Sequence, residues 1–319
     1  MKGIVHCLGG ISLMLCAEAQ AQSTYPDRPV QVLVGWTAGA VVDVMVRAVA
    51  DEMAKSLGQP LVVVNRAGAS GTIAFASVAT AAPDGYTLAA GPVHSINVAG
   101  HAMKSKAIDI ESFAYVCQTF VNDFTIAVSE KSPHKTIKDL VAGLKAEPGK
   151  LTYGQLGPAS IPNLAMAEFM QNVGATAVAV NFRGDAEVIP ALLSGAVDIG
   201  VSSLGSMLPQ AGQIRILAVF GAARNPALPD LPSLAEQGIA ISPNRGLNGF
   251  MAPKATPADV MAKLRTACAA AVRSERVQAL AATVKGGADF LDGPDFAAAV
   301  RADYQSKGEI IRRFNIEAN

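Results

Sequence analysis

Val30-Gln31-Val32-Leu33-Val34, followed by Gly35-Trp36-Thr37-Ala38-Gly39-Ala40 and then by the run from Asp43 to Leu57, decides the fold of this chain. The first five residues are apolar and mostly β-branched, as a short buried strand requires, and from Asp43 apolar residues recur at helical spacing until Gly58 stops the helix. The unit is strand, small-residue loop, helix. It repeats where Leu61 to Val64 leads through Asn65-Arg66-Ala67-Gly68-Ala69-Ser70-Gly71 into a helix from Thr72 to Thr80, and Tyr86 to Ala89 follows the turn Pro83-Asp84-Gly85. Alternating strands and helices predict an α/β fold with a mostly parallel sheet covered by helices.

A second series starts at Phe124 to Val128. Strands are expected at Leu151 to Gly154, Ala177 to Val180, Val197 to Val201 and Arg215 to Phe220. Helices are expected at Ile137 to Lys145, Ser160 to Asn172, Asp185 to Leu193 and Ser206 to Ala211. The stretch from Asn225 to Asn248 carries Pro226, Pro229, Pro232 and Pro243 and reads as a long surface connection. Beyond Thr256 the pattern is helical again, with Pro257 at a helix start and a last helix from Pro294 to about Phe314.

Composition narrows the function classes. The 319 residues suffice for two domains; half are hydrophobic and 16% are charged. Lys+Arg and Asp+Glu both number 26. A net charge of zero gives no long-range field for a phosphate backbone or an anionic bilayer, so no nucleic-acid or membrane-surface partner is expected. Lys2, the apolar run Ile4 to Cys16 and the small residues around Ala19 and Ala21 read as an export leader cleaved after Ala21. That run is shorter than the ~20 residues a bilayer span needs. Cleavage removes Cys7 and Cys16. Cys117 and Cys268 remain in apolar surroundings, where free cysteines act as small core residues, and a single long-range bridge between them stays open at this point.

Catalytic entry points are thin. His94, His101 and His134 form no metal-ligand spacing, and there is no Gly-x-Ser-x-Gly elbow, Walker loop or Gly-x-Gly-x-x-Gly. No enzyme activity, metal or cofactor is expected; an exported hydrolase is the remaining enzyme alternative. The informative residues are three small-residue loops that open helices: Thr37-Ala38-Gly39-Ala40, Gly68-Ala69-Ser70-Gly71 and Gln155-Leu156-Gly157-Pro158-Ala159-Ser160. Each would offer free backbone N–H groups to an anion at a helix N-terminus, outside the carboxyl ends of the strands. Taken singly, each is also an ordinary α/β turn.

With these loops placed, the chain resembles the Bug family, the periplasmic solute-binding receptors of tripartite tricarboxylate transporters. The likeness runs from Tyr25-Pro26-Asp27-Arg28-Pro29-Val30 through Leu57-Gly58-Gln59-Pro60, Pro83-Asp84-Gly85-Tyr86 and Pro148-Gly149-Lys150-Leu151-Thr152-Tyr153-Gly154. It continues through Gly195-Ala196-Val197-Asp198 and Arg224 to Gly238, and ends at Ala252-Pro253. The resemblance implies a two-domain Venus-flytrap fold of the type II periplasmic-binding-protein class with two crossover strands. After the leader at 1–21, it implies a discontinuous first domain at 22–122 plus 245–319 and a second domain at 123–244. The chain would then be a monomer that captures a small organic acid and delivers it to the membrane subunits of the transporter, or, as an alternative, one that docks a sensor kinase.

Matched residue by residue, the resemblance assigns ligand contact to Thr37, Ala38, Gly39, Ala40 and Asp43, to Ala69, Ser70 and Gly71, and to His94, Ser95 and Asn97. In the second domain it assigns Gln155, Gly157, Ser160, Asn163, Arg183, Gly184, Asp185 and, secondarily, Ser202 and Ser203. Blander readings stand beside some of these. Asp43 can simply favour a helix dipole, and Arg183 can pair with Asp185 at the surface. The first loop departs from the family's Pro-aromatic-x-Pro-Gly-Gly, since both prolines are gone and Ala40 replaces a glycine. Gln155, Asn163 and Leu247 stand where Ser, His and Trp are usual.

Overall fold

A computed structural model describes residues 25–102, 108–157, 160–221, 223–242 and 245–314. The export leader and its cleavage site lie outside the described residues, as do Pro158 and Ala159 of the third loop. The first series of elements is β1 (Val30–Val34), α1 (Val41–Leu57), β2 (Leu61–Asn65), α2 (Thr72–Ala79), β3 (Thr87–Pro92), α3 (His94–Asn97), α4 (Ala99–Ala102) and β4 (Phe113–Asn122). The second is β5 (Phe124–Ser129), α5 (Ile137–Ala146), β6 (Thr152–Gln155), α6 (Ile161–Val173), β7 (Val178–Asn181), α7 (Asp185–Ser194), β8 (Ile199–Ser203), α8 (Leu204–Met207) and β9 (Ile214–Val219). The chain then returns through β10 (Gly246–Pro253), α9 (Ala258–Val272), α10 (Glu275–Thr283), β11 (Leu291–Asp292) and α11 (Gly293–Phe314).

Two sheets result, ordered β11-β4-β10-β3-β1-β2 and β7-β6-β8-β5-β9. β1 is parallel to β2 and β3, and β6 to β7 and β8. Elsewhere the pairing is antiparallel: β10 with β3 and β4, β11 with β4, and β5 with β8 and β9. Each sheet is therefore mixed rather than mostly parallel. The cause is connectivity, because a chain that crosses to a second sheet and comes back must lay an outgoing and a returning strand side by side. β4 and β10 are those strands, with Asn122 opposite Gly246 where they leave the first sheet. Arg245 pairs with Asp123 at 3.2 Å at this crossing, and Asn225 donates to the same carboxylate at 2.7 Å.

Each sheet carries its own core. The first is built on Leu33, Met45, Phe75, Phe120, Phe250 and Phe296, the second on Phe124, Leu140, Phe169, Leu192 and Phe220. β1 is buried on both faces except at Gln31, which is why it reads as a continuous apolar run instead of an alternating one. Cys117 of β4 and Cys268 of α9 are fully buried and form a disulfide, with Cα atoms 6.5 Å apart. The Asn225 to Asn248 connection departs from its expected surface course. Its end forms the start of β10, and Ser233 and Leu234 are fully buried because Ser233 bridges to Val219 at the edge of β9. No helix among the described residues is long and apolar enough to cross a membrane.

Candidate functional site

The loops at the carboxyl ends of β1, β2, β6 and β7 meet across the gap between the two lobes. Behind the first loop, Asp43 in the opening turn of α1 reaches back to accept from the Gly39 N–H at 2.9 Å. The same carboxylate takes Arg47 Nε at 3.1 Å and Asn65 Nδ2 at 2.8 Å, and Asn65 also donates to the Trp36 carbonyl at 2.9 Å. Burial raises the Asp43 pKa, but the Arg47 hydrogen bond, the Gly39 amide and Asn65 outweigh it and hold the carboxyl below its ordinary value. Asp43 thus fixes the loop from behind and has no oxygen left facing the gap. Ala38 and Gly39 are exposed and Ala40 is buried as the N-cap residue of α1.

The second loop turns the other way. Gly68, Ala69, Ser70 and Gly71 all have positive φ, at 136°, 45°, 53° and 84°. Two consecutive non-glycine residues in the left-handed region carry local strain, which folded proteins concentrate at ligand-contacting segments. The turn closes through Gly71 N–H to Gly68 O at 2.9 Å, so the amides of Ala69 and Ser70 precede its first bond. It packs on the first loop: a Cβ at Gly35 would lie 2.5 Å from Gly71 Cα. That contact leaves no room for a side chain at position 35.

Across the gap, Ser160 caps α6, accepting from Asn163 N–H at 3.3 Å, while its own hydroxyl hydrogen points between Gly157 O at 2.6 Å and Gln155 Oε1 at 3.1 Å. Gln155 donates to Asn181 Oδ1, and Asn163 accepts from the Tyr153 hydroxyl at 3.0 Å. Asp185, at the start of α7, is buried among hydroxyls. Ser202 and Ser203 donate to it from β8, the latter at 3.0 Å, and Ser206 donates at 3.0 Å. It is therefore not paired with Arg183, whose backbone N–H is held by Glu187 Oε2 at 3.0 Å.

The lobes touch where hydroxyls of the first meet glycines of the second. Ser70 Oγ lies 2.6 Å from where a Cβ on Gly157 would sit, and Thr37 Oγ1 lies 2.7 Å from the equivalent point on Gly184. Ser70 also donates to Leu156 O at 3.4 Å. Thr37 Oγ1 is buried in this contact with no hydrogen-bond partner among the described residues. Beside the contact lies a cavity of about 200 Å³, walled by Gly68, Ala69 and Ser70 from one lobe and by Leu156, Gly157, Asn181, Phe182 and Arg183 from the other. A larger hollow of about 450 Å³ lies away from it, between Tyr25, Leu57 and Lys263. The smaller one is the candidate site because both lobes and the loop termini converge on it.

Of the residues expected to contact ligand, Ala69, Ser70, Gly157 and Arg183 line the cavity and Thr37 and Gly184 adjoin it. Asn181 and Phe182 were missed, although their place at the end of β7, just before Arg183, was a usable signal. The α3 residues lie elsewhere. Asn97 donates to Asp303 at 2.7 Å and to Val300 O on α11, so its side chain faces the C-terminal helix. Ser95 donates to Pro92 O at 3.1 Å. His94 is buried edge-on to Trp36, with centroids 5.4 Å apart, and desolvation together with nearby Lys307 lowers its pKa to about 3, which keeps the ring neutral. No group of His, Cys, Asp and Glu among the described residues could hold a metal.

Two mixed sheets of matching order, joined by two crossings and meeting at a small polar cavity, define a two-lobed periplasmic binding protein. The model of the tripartite tricarboxylate transporter family receptor (TctC) matches residues 45–316, and the chain belongs to that family of periplasmic solute-binding receptors. A Cupriavidus necator relative, the UPF0065 protein in the gbd 5′ region, is 34% identical over 79% of this chain and 76% of its own length. The protein BugT of Bordetella pertussis is 29% identical over 94% of this chain and 92% of its own. Among solved structures, the periplasmic binding protein BugD superposes with a TM-score of 0.86 at 26% identity, covering 92% of this chain and 99% of that one. An R. palustris protein solved with adipate gives 0.86 at 27% identity over the same shares.

Proposed function

We propose that this chain is exported, loses residues 1–21, and captures a small carboxylate between its lobes for delivery to the membrane subunits of a tripartite tricarboxylate-type transporter. The observation that carries this reading is the cavity of about 200 Å³ shared by the strained Gly68–Gly71 turn and the ends of β6 and β7. Its size lies below the roughly 300–1,000 Å³ of drug-sized pockets and suits a metabolite of a few carbons. Backbone amides and hydroxyls supply most of the polar contacts, as expected for an anion held at loop termini in a neutral protein. Adipate in the R. palustris relative is consistent with that chemistry. A ligand that touches both lobes favours their closed arrangement, which a membrane partner can recognise. In this reading the domains are 22–122 plus 245–319 and 123–244, and the ligand leaves unchanged.

Calorimetric titration of the purified protein with three- to six-carbon mono- and dicarboxylates tests this. At least one acid should bind, change the emission of Trp36, which packs on Gly71, and be recovered intact after long incubation. Replacement of Ser70 by Ala should weaken it about fivefold or more, the loss of roughly one hydrogen bond. Absence of binding across the series, or conversion of the bound acid, defeats the reading.

A further inference from the structure

Asn225 lies on the return from the second lobe and is buried where the chain crosses between the lobes. Its side-chain amide ties its own turn to two other segments. Nδ2 donates to Asp123 Oδ2 at 2.7 Å, on the outgoing crossing between β4 and β5, and to Lys285 O at 3.0 Å, while Oδ1 accepts from Ala227 N–H at 2.8 Å. Asp123 in turn holds the returning crossing through Arg245 Nε at 3.2 Å, and its carbonyl accepts from Leu204 N–H at the start of α8 at 2.9 Å. Lys285 belongs to the first lobe. It follows α10, its neighbour Val284 packs on the first core, and Gly287 O accepts from Val121 N–H of β4 at 3.0 Å. With φ 52° it occupies the left-handed position after a helix that glycine usually fills. The second lobe presses close here, since a Cβ on Gly205 of α8 would lie 2.6 Å from Val284 O.

We propose that Asn225 is a positioning residue for capture: its two N–H donors fix the angle at which the lobes meet, and through that angle the affinity of a cavity it does not line. The inference rests on the capture reading above and adds what sets the approach of the lobes. Two strands crossing side by side leave rotation about the crossing free, and hinge closure uses that freedom. A third tie outside the strand pairing restricts it. The Asn225 bond to Lys285 is such a tie, and because hydrogen bonds weaken steeply as distance and direction depart from the ideal, it tolerates little rotation. At the cleft, the bond from Ser70 to Leu156 O is longer, at 3.4 Å, and weaker. The firmer hold is therefore at the crossing, and the cleft closes to the angle set there. Without that hold a ligand must select one arrangement from a wider set, and apparent affinity falls with the fraction of molecules that occupy it.

A cysteine pair at the cleft reads the approach of the lobes without ligand. Thr37 Cβ lies 3.9 Å from where a Cβ on Gly184 would sit, a separation that suits a disulfide. Protein carrying Thr37→Cys and Gly184→Cys is treated with oxidised glutathione, and its rate of cross-linking is followed with and without Asn225→Leu or Gly205→Ala. The first keeps the volume of Asn225 and loses its donors. The second drives a methyl against Val284 and leaves Asn225 in place, so it decides the matter if Asn225→Leu does not fold. Each should slow cross-linking about fivefold or more, the worth of roughly one hydrogen bond, at a temperature where circular dichroism shows the fold intact. In protein without the cysteine pair, each should weaken the acid that wild type binds best in the three- to six-carbon series by about the same factor. Unchanged cross-linking with a lower urea midpoint would make Asn225 a stabilising residue alone, and slowed cross-linking with unchanged affinity would detach the angle from capture. Either result overturns this proposal and leaves the receptor reading standing. Failure of wild type to bind any acid of the series overturns the receptor reading and, with it, the role of Asn225 in capture.

Discussion

The two lobes solve one problem with different chemistry. Each anchors a loop at the cleft by burying a carboxylate at the start of a helix, Asp43 on α1 and Asp185 on α7. Asp43 meets a cation, Arg47, along with two amide donors. Asp185 meets serine side chains and no cation among the described residues. The first arrangement compensates charge with charge and spends the nearby arginine. The second compensates with hydroxyl dipoles, and among the described residues the Arg183 side chain beside the cavity makes no ion pair. A buried carboxylate can be satisfied either way.

The largest expected effect comes from breaking the second arrangement. Asp185→Ala strands the buried hydroxyls of Ser202 and Ser203, and removes an acceptor from half-buried Ser206, so it should cost about 3 kcal/mol of unfolding free energy in a urea titration. A cost under about 1 kcal/mol would mean that the serines find other acceptors and that the nest does not anchor α7.

A smaller effect tests the contact between the lobes. Gly184 has φ 175° and ψ 169°, extended backbone open to alanine, yet the added Cβ would lie 2.7 Å from Thr37 Oγ1. Gly184→Ala should leave the melting temperature of the free protein nearly unchanged and weaken ligand about tenfold by calorimetry, equivalent to about 1.4 kcal/mol. Adding Thr37→Ala should recover most of that loss. Unchanged affinity in the single variant would show that bound lobes do not approach this closely.

The smallest effect separates the two carboxylates by pH. Asp43→Asn should cost about 1 kcal/mol at pH 7, measured by urea unfolding. The folded-state pKa of Asp43 is depressed, so its contribution is complete above the unfolded value of about 3.9 and is lost as pH falls through the folded value. The gap between wild type and variant should therefore narrow below about pH 4. A gap that persists undiminished at pH 3 would trace the loss to packing and not to charge.

How much of this was legible in the sequence follows from the range of the interactions. The βα units and the small-residue loops were readable because strand, loop and helix are local. Predicted starts at Ser160 and Asp185 coincide with the observed cap of α6 and first residue of α7. β4 and β10 had no such signature. Both are buried on both faces, so no alternation marks them, and their pairing joins residues more than a hundred positions apart. The family resemblance assigns Asn97 to ligand contact, but its side chain donates to Asp303, 206 positions away. The lack of room for a side chain at Gly35 is likewise set by Gly71, on a different loop.

The disulfide between Cys117 and Cys268 has a topological consequence. Both cysteines belong to the first lobe, 151 positions apart in sequence, and the stretch between them contains every strand of the second sheet. The second lobe is thus an excursion on a covalently closed ring. A single protease cut anywhere in it, including the proline-rich return between Asn225 and Ile241, opens the ring without dividing the molecule, and the two ends remain one covalent body as long as the surroundings stay oxidising.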